Sequence, residues 1–249
     1  MKNKYVAILI LLLSLSLRAQ QQKFEQFNQL WAGYYNSIKV NQKFAVNSDF
    51  QGRTTDWYKQ WSQVLGRTSV TYKRNEKFTF SLGFADFLFF QTGNKVSKNE
   101  YRPWEEVAIS DIYGKLRISH RIRIEQRYFQ QVVNDELTNK HTFNYRFRYR
   151  VDLQYPLWKK AESEQALILQ VGNEIMINAG KSIVYNYFDQ NRTWVALLYK
   201  LNKNFSFQLQ YINLFQQLSN GITLDRINVV RLNIYHTINL KGNANTTTK

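Results

Sequence analysis

Between Lys115 and Tyr128 the chain changes character at every residue. Lys115, Arg117, Ser119, Arg121, Arg123, Glu125 and Arg127 alternate with Leu116, Ile118, His120, Ile122, Ile124, Gln126 and Tyr128. The stretch from Thr142 to Tyr155 repeats the pattern. Thr142, Asn144, Arg146, Arg148, Arg150, Asp152 and Gln154 interleave with Phe143, Tyr145, Phe147, Tyr149, Val151, Leu153 and Tyr155. Successive side chains of a β-strand point to opposite faces, so each segment has one apolar and one charged face. A helix would mix the two at every turn. Both segments are therefore strands.

Weaker forms of the same pattern run along the rest of the chain. Phe78, Phe80, Leu82 and Phe84 share one face; so do Leu167, Leu169, Val171, Ile175 and Ile177. Val195, Leu197, Tyr199 and Leu201 form a third set, and Phe205, Phe207, Leu209 and Tyr211 a fourth. Val230, Leu232, Ile234, Ile238 and Leu240 form the last. Alternation is fainter over 29–40, 43–54 and 60–73, and faintest over 102–113. Hairpin-type connections are expected at Asn41-Gln42, Asn75-Glu76, Tyr113-Gly114 and Asn202-Lys203. Longer polar loops are expected at 55–60, 91–101, 130–140, 178–189 and 218–225. Pro103 should mark a strand start and Pro156 a turn, because proline cannot donate to a ladder.

Strands of 10–15 residues suit a tilted bilayer crossing, which needs about 9–11, better than a soluble sandwich. Residues 1–19 have the form of a cleaved export signal, with Lys2 and Lys4, an apolar run from Tyr5 to Leu17, and Ala19 before the expected cut. That run is too short to span a membrane as a helix. A mean hydropathy of -0.48 excludes a bundle of membrane helices. The absence of cysteine excludes disulfide scaffolds, thiolate zinc sites and thiol nucleophiles. Unpaired strand edges cannot lie in lipid, so a membrane sheet must close.

The expected fold is a closed antiparallel transmembrane β-barrel of 10–12 strands, all-β, occupying residues 20–240 and followed by a polar tail at 241–249. The pattern yields eleven strands, but bacterial single-chain barrels have an even number, so twelve is favoured. The expected location is the outer membrane. A secreted soluble β-barrel binding an anionic ligand would also alternate, but a ladder of consecutive arginines on its wet face would be unusual. A net charge of +16 would suit a nucleic-acid binder too. Its charges, however, sit on strict alternate positions and not in a patch.

Several short segments occur in a telling order: Arg102-Pro103-Trp104, His120 to Arg127, Phe147 to Arg150, Asn173-Glu174 and Phe188 to Arg192. Together they resemble the bacterial family known as domain of unknown function 2490, over roughly residues 25–240. The resemblance implies an outer-membrane β-barrel of unknown activity and supplies no catalytic residues. Many such barrels end in an aromatic residue that assists assembly, and the Asn/Thr tail of this chain departs from that.

The arginines form the most informative constellation. Arg117, Arg121, Arg123 and Arg127 share one strand face, and Arg146, Arg148 and Arg150 share another. If the two strands pair, these guanidiniums converge in the lumen with Glu125, Asp152, Glu174 and Arg192. Arginine stays charged at physiological pH and binds carboxylate or phosphate in a bidentate fork. Two outcomes are open: Arg–carboxylate pairs that fill a narrow, partly plugged lumen, or an electropositive passage or binding site for small anionic solutes.

A lipid-acting enzyme of phospholipase or deacylase type is the alternative. Ser219-Asn220-Gly221 matches the end of a His-x-Ser-Asn-Gly motif, but Gln217 stands where histidine is required. No catalytic residue, metal site or cofactor is therefore assigned. His120 and His236 share the apolar face, and Trp57, Tyr58, Trp61, Trp104 and Trp158 suit interfacial anchoring. Expected partners are membrane lipids and the outer-membrane barrel-assembly machinery, with no nucleic acid; the oligomeric state stays open.

Overall fold

The computed structural model describes residues 23–90 and 96–240. The expected export signal, the polar tail and part of the 91–101 loop lie outside them. Eleven strands follow one another without a helix among the described residues. They are β1 (Lys23–Lys39), β2 (Phe44–Thr55), β3 (Gln60–Lys73), β4 (Phe78–Phe89), β5 (Lys98–Tyr113) and β6 (Leu116–Val133), then β7 (Glu136–Lys159), β8 (Ala166–Ala179), β9 (Phe188–Lys200), β10 (Phe205–Gln217) and β11 (Thr223–Asn239).

Each strand pairs with its sequence neighbours, and β11 returns to β1 to close the barrel. The closure corrects two expectations. The strand number is eleven, within the expected range but short of the favoured twelve. One seam is not antiparallel: β1 and β11 run side by side in parallel along their whole length, from Lys23 opposite Thr223 to Lys39 opposite Asn239. An even number is required only where every pair is antiparallel. With an odd number, first and last strands point the same way, and a parallel ladder satisfies their backbone groups equally well. Lys23 and Asn239 consequently lie at opposite ends of the barrel.

The turns at one end share a side-chain device. Asn41 Oδ1 accepts hydrogen bonds from the backbone amides of Lys43 and Phe44, both 2.8 Å. Asn75 does the same for Lys77 and Phe78, and Asn202 for Asn204 and Phe205. This local mimicry of a backbone turn is why asparagine marks these hairpins. At the other end the expected 130–140 loop is instead a hairpin that extends both strands, turning at Asn134 and Asp135 with φ of 51° and 60°. Asparagine and aspartate tolerate that left-handed region better than most residues.

Both prolines fall inside strands, contrary to expectation. Each occupies a break in a ladder, which is what makes it tolerable. Pro103 lies where β5–β6 pairing skips from Tyr101 to Trp104, and Pro156 where the β7–β8 register shifts.

The alternation sorts the faces as the sequence demands. Phe147 is 44% exposed on the outside, while Arg146 beside it is 3% exposed within. Leu82, Leu153, Leu209 and Leu232 likewise face outward. The lumen is not wholly polar. Trp31, Trp194, Ile212, Leu214, Ile227 and Val229 pack together inside, and Leu65, Ala85 and Phe87 form a second inner cluster with Phe89. Two inner tryptophans lie over glycines on the neighbouring strand, Trp104 opposite Gly83 and Trp194 opposite Gly172. A Cβ at either glycine would come within 2.3 Å of the indole ring. Each ring also carries a guanidinium on it, Arg123 over Trp104 at 3.8 Å and Arg150 over Trp194 at 4.7 Å.

Candidate functional site: a basic lumen with two unlike walls

The inward faces of the strands surround a polar cavity of about 420 Å³, lined chiefly by arginine and glutamine. On the β5–β8 side, register sets like charges opposite each other: Arg121 faces Arg150 and Arg123 faces Arg148 across β6 and β7. That arrangement is unfavourable unless carboxylates intervene, and the two flanking strands supply them. Glu106 on β5 stands opposite Arg123, and Glu174 on β8 opposite Arg150.

The resulting network is dense. Glu125 accepts from Arg146 Nε at 2.8 Å and from Arg148 Nη1, and Arg146 Nη1 also reaches Asp189 at 2.9 Å. Glu174 accepts from Arg148 Nε at 3.0 Å and Nη2 at 2.9 Å, and from Arg121. Glu106 accepts from Arg123 Nε at 2.7 Å, and Glu100 from Arg127 Nε at 2.6 Å and from Arg102. Arg150 is paired with Asp152. On β3, Arg67 Nε bonds both oxygens of Asp49 at 3.0 Å. Bidentate and shared bonds of this kind compensate buried charge that would otherwise be costly.

The wall across the β1–β11 seam differs. One inward row runs Gln63, Arg53, Trp31, Arg231, Gln210 and Ala196, each opposite the next on adjacent strands from β3 to β9. Arg53 and Arg231 thus flank Trp31 by register, and Arg192 on β9 approaches the same indole. Their guanidinium carbons lie 4.0 Å (Arg53), 5.5 Å (Arg192) and 5.8 Å (Arg231) from the ring centre. None is paired with a carboxylate among the described residues. Arg53 donates to Gln63 at 3.0 Å and to Gln51, and its buried Nε has no partner among the described residues. Arg192 Nε donates to Gln190 at 3.0 Å. Arg231 donates to Asn233 at 3.1 Å, to Gln51 at 3.2 Å and to the Tyr35 hydroxyl.

Of the residues singled out in the sequence, Arg121, Arg123, Arg127, Arg146, Arg148, Arg150, Glu174 and Arg192 line the cavity. Glu125 and Asp152 are buried as their ion-pair partners. Arg117 shares the inner face but sits exposed beside the turn end, opposite Gln154 and off the cavity. Missed were Glu100, Arg102 and Glu106, although Glu100, Arg102, Trp104 and Glu106 alternate with period two. Pro103 and the outward Glu105 between them obscured the signal. Arg231 alternates with Val230, Leu232 and Ile234 and so reads as inward, but its meeting with Trp31 and Arg53 carried no sequence signal, because only barrel closure joins them.

The histidines are engaged away from Ser219. His120 Nδ1 is 2.9 Å from the Tyr149 hydroxyl, His236 Nδ1 is 2.7 Å from that of Tyr34, and the His141 ring lies against Tyr101. Among the described residues no group of three metal-ligating side chains is assembled.

A sheet closed on itself, apolar outside and charged within, defines a membrane-spanning β-barrel and points to the outer membrane. Within that class, the chain belongs to the family described as "Protein of unknown function (DUF2490)", whose model matches residues 28–225. Among solved structures it is similar to the "KdgM porin in complex with disordered oligogalacturonate". The identity is 16% and the TM-score 0.39, covering 72% of this chain and 81% of that one. It is also similar to the NanC porin, at 13% identity and a TM-score of 0.44, covering 78% and 91%. No curated protein matches it.

Proposed function

We propose that this outer-membrane barrel binds and passes small anionic solutes through its lumen, without catalysing a reaction. The observation that carries the reading is the Arg53, Arg192 and Arg231 cluster, three guanidiniums beside a polar cavity that form no ion pair among the described residues; Glu174, which stands opposite Arg192, is bound to Arg121 and Arg148 instead. The β5–β8 wall already satisfies its own charge, so a solute anion gains little there. At the seam wall the same type of residue stands without an ion pair among the described residues, and a ring of one charge favours the opposite ion.

Current through single barrels in a planar bilayer tests this. With a potassium chloride gradient across the membrane, the reversal potential should show preference for chloride. A preference for potassium, or no channel events from protein that migrates as folded, would overturn the proposal.

A further inference from the structure

The seam wall offers more than positive charge. Gln210 is buried on the same inward row as Arg231, lines the cavity, and makes no side-chain hydrogen bond among the described residues. Its amide is therefore a free donor and a free acceptor beside a guanidinium. Gln63 accepts from Arg53 with its carbonyl oxygen and keeps its NH₂ group available. The Arg53 Nε–H is a third donor unmet among the described residues. The Tyr35 and Tyr235 rings stack at 4.9 Å on the cavity lining next to Arg231.

A simple anion accepts hydrogen bonds but does not donate them. Bound here it would meet the arginines and leave the carbonyl oxygen of the buried Gln210 without a donor from the ligand. A hydroxyl group both donates and accepts, as the amide does. Resting on the anion reading above, we infer that the seam row is a binding station for an anion that also carries hydroxyl groups. The ligand is a sugar-type acid or sugar phosphate whose anionic head lies on Arg53, Arg192 and Arg231. Its hydroxyls meet Gln210 and Gln63.

Isothermal titration of the full folded chain in detergent, at constant ionic strength, tests the station with five probes. Glucuronate is compared with acetate, and glucose 6-phosphate with methyl phosphate at about pH 8, where neither phosphate head keeps a proton; glucose is the neutral control. Within each pair the hydroxylated member should bind about tenfold tighter or more, the scale of one buried polar group left unpaired. Whichever head binds tighter identifies the source. Gln210→Leu should remove the advantage of the hydroxylated member while retaining binding of the simple anion, and Arg231→Gln should weaken both. Should Gln210→Leu not fold, as judged by heat-modified gel migration, Gln63→Leu serves in its place. Equal affinity within both pairs would overturn the station while leaving the anion preference, measured as a reversal potential, intact. Glucose binding as tightly as glucuronate would overturn it as well.

Discussion

Arginine plays two roles on opposite sides of one lumen. On the β5–β8 wall, Arg146 and Arg148 share Glu125, and Arg148 and Arg121 share Glu174. There the guanidinium is a structural cross-link whose charge is spent within the wall. At the seam, Arg53, Arg192 and Arg231 surround Trp31 and bond only amides and a phenol. Counting arginines would treat the two walls alike. What separates them is whether a carboxylate is bound: Glu174 stands opposite Arg192 in the register but is taken up by Arg121 and Arg148, and such engagement decides which wall has charge left for a solute.

The sharpest way to break the comparison is to remove a carboxylate from the paired wall. Glu125→Gln removes the carboxylate that Arg146 and Arg148 share, leaving Asp189 to the first and Glu174 to the second, and should cost about 3 kcal/mol, measured by urea unfolding in lipid vesicles. Arg231→Gln removes an uncompensated charge and should leave stability unchanged or raised in the same assay. Equal losses for the two would erase the distinction between the walls.

Next in size is a packing test. Gly172→Ala places a methyl group against the Trp194 ring and the Val151 carbonyl oxygen, at 2.3 and 2.6 Å. The overpacking should cost about 1–3 kcal/mol and shift the unfolding midpoint without altering ion preference. A change in ion preference with unaltered stability would show that Trp194 serves the solute path and not the scaffold.

A third comparison sets Arg192→Gln against Arg117→Gln. Both remove one inward positive charge, but only Arg192 lines the cavity. The reversal potential should move toward zero for Arg192→Gln and stay in place for Arg117→Gln. Equal shifts would mean that net charge, not location, sets the preference.

The smallest effect is expected at the turn joining β3 to β4. Lys73 donates to Glu76 at 2.6 Å, and this bond holds the exposed carboxyl below its usual range. Because the folded value lies below the unfolded one, the contribution is complete at neutral pH and fades as pH falls through the carboxylate range. Exposed pairs contribute little and are screened by salt. Glu76→Gln should leave the unfolding midpoint at pH 7 nearly unchanged, and any small difference from the parent should shrink at high salt.

Much of this was legible along the chain because barrel strands carry their instructions locally. Leu116 to Tyr128 and Phe143 to Tyr155 declare their faces by alternation alone, and Asn41, Asn75 and Asn202 declare their turns through hydrogen bonds to amides two and three residues on. The paired wall was half visible: Arg121 to Arg127 and Arg146 to Arg150 announce a charged face, while Glu106 was hidden by the break at Pro103. The parallel seam was not visible, since the alternation of β1 and β11 is the same whichever way they pair.

Residue order alone thus determined strands, turns and the placing of charge inside, since each depends on a side chain and its immediate neighbours. Closure decided the rest. Only when β11 lies against β1 do Arg231, Trp31 and Arg53, far apart in the chain, fall on one row with no carboxylate opposite. Which charges are neutralised is a property of cross-strand register, and register between the two ends of a chain is fixed by the completed ring.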